Sequence, residues 1–257
     1  METGHLFLMQ KKINKIHKIN IYQYKSYVDF VLADDYLTLN FNSKNFDLNF
    51  IETISKINFS SIELIFFSDI PSIVPSKLFD KKYSTKYLET NTSNIKNIRH
   101  DISNDKKITT VYSINNSLIK ILNKRNIKYS VKNYFTILYD YLSGKNRISE
   151  GLTLYINLNE DSFDILIFQL KEFIYFNTFE IDDKDKFLYY LFFVMKNYEV
   201  SSKKDKIIFL GKYEKYLEYY EIVNKYSQLD YIIDNTNSKL NIKSPFFSYL
   251  NEDNIRQ

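Results

Sequence analysis

Between residues 152 and 179 three strand-like stretches follow one another across short turns, and a three-stranded meander is the simplest structure able to satisfy them. Leu152, Leu154, Ile156 and Leu158 alternate with Thr153, Tyr155 and Asn157, the period of a strand with one apolar face. Residues 163–169 and 172–179 continue as strands across the short turn Leu170-Lys171. The period then changes. Phe187, Leu188, Leu191, Val194, Met195 and Tyr198 recur at helical spacing behind a capping Asp182 or Asp183, and Phe192 and Phe193 widen the apolar face. That pattern predicts a deeply buried helix. Residues 207–210 read as a buried strand, 214–226 as a helix and 229–233 as a last strand. The order is β-β-β-α-β-α-β.

The preceding residues repeat this order more roughly. Residues 27–32 and 36–41 alternate as strands around the turn Ala33-Asp34-Asp35. A helix over about 47–57 and a buried strand over 61–67 follow. Pro75 halts any strand before it, and Ser76 caps a short helix. Residues 89–107 are polar and read as an irregular excursion with a short strand near 95–102. Strand 108–112, helix 115–124, strand 127–131 and helix 133–142 complete the half. The expected division is a tail or weak first element over 1–26, a first half over 27–147, a second half over 148–234 and a polar tail over 235–257. No repeat is visible residue by residue.

Only four glycines occur, Gly4, Gly144, Gly151 and Gly211. Loops that cradle phosphate need glycine so that backbone N–H groups approach oxygen without a Cβ in the way. The chain has no Cys, so disulfides, Cys-ligated zinc, iron–sulfur clusters and thiol nucleophiles are excluded within it. No apolar run approaches the ~18 residues of a membrane span. The N-terminal apolar patch precedes its lysines, the reverse of a secretory signal. A cytoplasmic protein is expected. The many Tyr, Phe, Ile, Asn and Lys residues match the codon usage of an AT-rich genome more simply than an aromatic binding surface.

The order β-β-β-α-β-α-β, twice, is the plan of the actin/Hsp70 superfamily. Three stretches are more specific: residues 73–80 (Ile-Val-Pro-Ser-Lys-Leu-Phe-Asp), residues 173–179 (Phe-Ile-Tyr-Phe-Asn-Thr-Phe) before the Asp-rich 180–186 and the Phe/Tyr-rich helix, and Phe209-Leu210-Gly211. With these the chain resembles a bacterial family, domain-of-unknown-function family 3822, over roughly residues 27–233. The resemblance implies an α/β, actin-like ATPase (duplicated ribonuclease H-like) fold with mixed sheets. It transfers a fold and no activity.

Hsp70-like proteins carry Asp-Leu-Gly-Gly-Gly-Thr-Phe-Asp at the first turn of the second half. Here the same spacing holds Asn157-Leu158-Asn159-Glu160-Asp161-Ser162-Phe163-Asp164. Leu158, Phe163 and Asp164 match, and Ser162 stands for Thr. Asn157 replaces the acid that supports Mg²⁺, and Asn159, Glu160 and Asp161 replace the glycines. Their Cβ atoms block backbone donors, and the two carboxylates repel a triphosphate. The matching turn of the first half is expected at Ala33-Asp34-Asp35, again without glycine. Where the superfamily's adenosine motif shows paired glycines, Gly211 is followed by Lys212.

Other chemistry is thin. His5, His17 and His100 have no metal-binding spacing. Ser143-Gly144-Lys145 lacks the upstream glycine of a P-loop. Glu160 and Asp161, or Asp182, Asp183 and Asp185, read more simply as a charged turn and as helix capping than as metal ligands. No cofactor and no metal is expected. Lys11, Lys12, Lys15, Lys18 and Lys25 form a basic stretch that could meet an acidic partner or RNA. The leading expectation is a non-catalytic scaffold that binds another protein, with nucleic acid a lesser expectation. A divergent nucleotide-binding ATPase or kinase-like enzyme, and a ribonucleoprotein factor using the basic segment, are the alternatives.

Overall fold

In the computed structural model two five-stranded sheets of identical order face one another across a single helix. The structure describes residues 16–32, 35–67, 70–92, 95–145, 151–159, 161–201, 203–211 and 216–233. The first sheet is built from β1 (Ile16–Gln23), β2 (Tyr27–Leu32), β3 (Asp35–Asn40), helix α1 (Phe46–Ser55) and β4 (Phe59–Phe66). A small sheet follows, with β5 (Ser72–Pro75), α2 (Ser84–Leu88), β6 (Ile98–Ile102) and β7 (Ile108–Ser113). Helix α3 (Ser117–Lys124) leads to β8 (Tyr129–Asn133) and α4 (Tyr134–Lys145). The second sheet has β9 (Leu152–Leu158), β10 (Ser162–Gln169), β11 (Glu172–Glu180), α5 (Lys184–Asn197), β12 (Lys206–Gly211), α6 (Leu217–Asn224) and β13 (Leu229–Ile233).

The first sheet runs β3-β2-β1-β4-β8 and the second β11-β10-β9-β12-β13. In each, a three-stranded antiparallel meander is extended by two parallel strands. The registers match as well. Tyr22 lies opposite Asp29 in the first hairpin, and Asn157 opposite Asp164 in the second. The offset is the same for both pairs, since 157 − 22 and 164 − 29 both give 135. At that offset residues 16–32 share only Ile21/Ile156 and Asp29/Asp164 with residues 151–167. The duplication is carried by topology and register, which is why it is invisible in the sequence.

One expectation is corrected here. Residues 16–23, expected within a tail or weak first element, form β1, the central strand of the first sheet. Its alternation is broken by the adjacent pairs His17-Lys18 and Ile21-Tyr22. Ile19 and Ile21 pack toward α1 and α3, while Tyr22 packs toward the second sheet. A second correction follows: the counterpart of the 159–161 turn is Tyr24-Lys25-Ser26, between β1 and β2, and not the turn at 33–35. Residues 33 and 34 lie outside the described residues.

Apolar side chains form three successive layers. The first lies between the first sheet and helices α1 and α3, around Phe30, Phe50 and Leu118. The third lies between the second sheet and helices α5 and α6, around Phe163, Phe187 and Phe209. The middle layer matters most for function. Helix α4 contributes Phe135, Leu138, Tyr139 and Leu142, sandwiched between Tyr22 and Ile65 of one sheet and Tyr155, Leu166 and Phe168 of the other. Leu138, Leu142 and Phe135 are fully buried, so α4 cannot leave without exposing both sheets to water.

Candidate functional site

Strand alternation turns Asn157, Asp164 and Thr178 toward the middle layer, side by side on β9, β10 and β11. Asp164 is completely buried. Its Oδ1 accepts from Thr178 Oγ1 at 2.7 Å and from the Tyr134 hydroxyl at 3.1 Å. Its Oδ2 accepts from Asn157 Nδ2 at 2.8 Å and from Asn159 Nδ2 at 3.3 Å. Burial pushes the Asp164 carboxyl above the ordinary carboxylate range, while Thr178, Asn157, Tyr134 and Asn159 pull it back down. The Tyr134 hydroxyl is driven well above its ordinary value by burial and then by the Asp164 charge, so it stays a donor.

Tyr134 is the first residue of α4, and its position is set locally. Asn133 Oδ1 accepts the Phe135 N–H at 2.9 Å, an Asx-type cap on the helix start. The Asn133 N–H itself donates to Asp101 Oδ2 at 2.7 Å, and Tyr112 donates to Asp101 Oδ1 at 2.9 Å. The small sheet thus holds the start of α4, and the start of α4 aims Tyr134 at the second hairpin.

The first hairpin meets the same point through its aromatic rings. Tyr24, in the turn, stacks on Tyr27 with centroids 4.5 Å apart and on Phe67 at 4.7 Å. Phe67 stacks on Tyr134 at 4.7 Å, with planes 11° apart. A continuous column, Tyr27–Tyr24–Phe67–Tyr134, runs from one hairpin to the buried carboxyl of the other. The first hairpin also repeats the second hairpin's acid: Asp29 is completely buried and accepts from Thr38 Oγ1 at 2.8 Å. An Asp on the second strand bonded to a Thr on the third occurs in both sheets.

The backbone of the turn is bonded within the chain. The Asn159 N–H is committed to the Ser162 carbonyl at 2.8 Å, and the Asp161 carbonyl to the Ile181 N–H at 3.0 Å. Of the residues singled out by sequence, Asn157, Asn159 and Asp164 converge, and Asp161 and Ser162 close the turn beside them. Gly211 ends β12 and pairs with Ile233. Glu160 and Lys212 lie outside the described residues, as do Lys11, Lys12 and Lys15. Lys18 is ion-paired with the buried Glu63 at 2.8 Å, and Lys25 is exposed in the first hairpin turn. Asp183 caps α5, accepting the Lys186 N–H at 2.7 Å, and Asp182 pairs with Lys186 Nζ at 2.7 Å. Among the described residues no three His, Asp or Glu side chains are placed to share a metal ion. No described helix is long and apolar enough to cross a membrane.

Sequence reasoning missed Tyr134, Thr178, Tyr24 and Phe67. Thr178 was hidden by a bulge. Counting back from the 170–171 turn puts residue 177 opposite Asp164, but the register slips between Ile167 and Phe168 and brings Thr178 there. Tyr24 and Phe67 flank β1 and β4 ends whose pairing depends on a strand that the sequence concealed.

The comparisons with known proteins agree with this architecture. A Bacteroides thetaiotaomicron protein of actin-like ATPase fold and unknown function superposes with a TM-score of 0.69 at 17% identity, covering 86% of this chain and 91% of that one. A chain of the PilM-PilN type IV pilus biogenesis complex superposes with a TM-score of 0.55 at 8% identity, covering 95% and 99%. At these identities the likeness concerns the fold, which is actin-like. Nothing among curated proteins matches the chain. The model of the family described as "Protein of unknown function (DUF3822)" matches residues 34–229, and the chain belongs to that family.

Proposed function

We propose that this protein is a non-catalytic binding module of actin-like fold, degenerate for ATP binding, that works by engaging another protein. The observation that carries the reading is the column from Tyr27 to Tyr134 ending on Asp164. A nucleotide triphosphate held between the two hairpin turns would have to displace stacked aromatic rings and a fully hydrogen-bonded carboxyl. It would gain no glycine-built N–H cradle in return. Both hairpin turns lack glycine, and Asn157 and Tyr22 stand at the paired positions ahead of the two buried acids. The same column ties the two sheets together, which favours a rigid body over a cleft that opens and closes around a substrate. A chain of similar fold occurs in the PilM-PilN complex, so partner binding has a precedent on this architecture.

The test is phosphate release from ATP with Mg²⁺ over a day at 37 °C, wild type beside Asn157→Ala. Equal release from both proteins, at the level of buffer, is expected. Release by the wild type that Asn157→Ala removes would instead establish the ATPase alternative.

A further inference from the structure

We propose that the groove between β5 and β11 binds an extended, uncharged segment of a partner protein as an added strand on the β11 edge. This rests on the protein-binding reading above and names its surface and ligand class. β11 is the outer strand of the second sheet and β5 the outer strand of the small sheet, and among the described residues neither has a strand on its far side. The space between them is a groove of about 690 Å³, within the ~300–1,000 Å³ range of ligand pockets. Residues 73–75 and 173–177, parts of two of the three stretches by which the sequence resembles its family, both line it.

Ladder parity shows what the β11 edge offers. The Ile181 N–H donates to Asp161 across the sheet, so by antiparallel alternation Phe179, Asn177 and Tyr175 bond to β10. Phe176 and Thr178 then turn their backbone groups outward. The Thr178 N–H is taken by Asn177 Oδ1 at 3.0 Å. Phe176 keeps an outward N–H and C=O, the pair that an added strand uses. Residues 173–179 contain neither Pro nor Gly, so every residue there has an N–H and a Cβ, and the Phe176 pair stays available. β5 is different. Pro75 has no N–H and Pro71 precedes the strand, the guards expected on an edge that must stay unpaired. β5 is therefore the wall and β11 the docking strand.

The groove also selects the chemistry of its ligand. Ile73, Phe173 and Phe176 supply apolar surface, with Asn91 and Asn177 at the margin. Its two charges, Lys107 and Glu172, neutralise each other at 2.7 Å. A segment without charges and with apolar side chains at alternate positions matches both features. Residues 172–177 line the groove, about 20 Å at the strand rise, which suits a segment of about six residues.

The full chain is panned against a phage-displayed library of linear 12-residue peptides. The strongest binder is then resynthesised with N-methyl groups on alternate amides, first in one register and then in the other. One register is expected to lose about tenfold or more in affinity and the other to stay within about threefold, because only alternate amides face β11. Phe176→Pro, which deletes the outward N–H without breaking a ladder bond, should weaken binding about tenfold relative to Phe176→Ala, with both variants folded by circular dichroism. No binder, an equal response in both registers, or indifference to Phe176→Pro overturns the proposal. So does peptide binding that rises tenfold on deleting residues 1–15 or 234–257, which would assign the edge to the chain's own segment, or a wild-type dimer that Phe176→Pro dissolves. An ATP titration run alongside separates the two readings. Nucleotide binding would sink the non-nucleotide reading whatever the groove does, and a silent groove without nucleotide binding would sink this inference alone.

Discussion

Removing one oxygen atom, Tyr134→Phe, isolates the hydrogen bond at the end of the aromatic column. The ring remains, so its stacking on Phe67 at 4.7 Å and 11° is kept. What is lost is the hydroxyl, 3.1 Å from Asp164 Oδ1 and 3.2 Å from Thr178 Oγ1. A buried hydrogen bond contributes about 1 kcal/mol net, and about 1.5–3 kcal/mol when the partner is charged. The expected cost is therefore about 1–3 kcal/mol. Tyr134→Ala removes the ring too and should cost about 3–5 kcal/mol. The pH dependence has a fixed sign. The hydroxyl is one of the donors that pull the raised Asp164 carboxyl down. Without it that carboxyl rises further, so the native state holds its proton more tightly. The penalty of Tyr134→Phe is then larger at the alkaline end of a series from pH 4 to 9 than at the acid end. Urea unfolding followed by circular dichroism and tyrosine fluorescence measures this, since the chain has no Trp. Coincident transitions are required for the comparison. A cost within about 0.5 kcal/mol of zero, a cost equal to that of Tyr134→Ala, or a penalty that grows toward acid pH would refute the reasoning.

Three further outcomes are expected. The Asp140 carboxyl is raised to about 6, first by burial and then by nearby Asp105 and Asp101, against the pull of the Asn104 N–H and Lys132. A raised acid contributes stability that is fully present below its unfolded value of ~3.9 and lost as pH climbs through the folded one. Asp140→Asn should thus flatten the stability profile between pH 4 and 6 in a urea series. Gly151→Ala would drive a Cβ into the Lys204 carbonyl, whose carbon lies 2.9 Å from that position. The cost should be about 1–3 kcal/mol by the same assay. Asp183→Ala removes the cap of α5 and should cost about 1 kcal/mol, read as a drop in thermal midpoint.

The sequence was most legible where apolar residues kept a clean period, as Leu152, Leu154, Ile156 and Leu158 do. The alternation at 152–158, the two strand-like stretches after it and the helical spacing from Phe187 to Tyr198 placed β9, β10, β11 and α5 within a residue or two. Strand β13 was placed at its observed ends. The failures share one cause. In β1 His17 and Lys18 are adjacent polar residues and Ile21 and Tyr22 adjacent apolar ones, so no clean period runs through it. Losing β1 shifted the matching turn from 24–26 to 33–35 and hid the place of Tyr24. The carboxyl of the site, Asp164, was in view from its spacing within the turn. Its partners were not, because Tyr134 reaches it from another sheet's helix and Thr178 through a bulge. Contacts that depend on tertiary packing and on a one-residue register slip leave no local period to read.

The most direct test of the central claim is isothermal titration of the wild-type chain with Mg²⁺–ATP up to millimolar nucleotide. If the aromatic column and the hydrogen-bonded Asp164 occupy the phosphate position, no saturable heat appears. A micromolar Kd that Asn157→Ala abolishes would contradict the account.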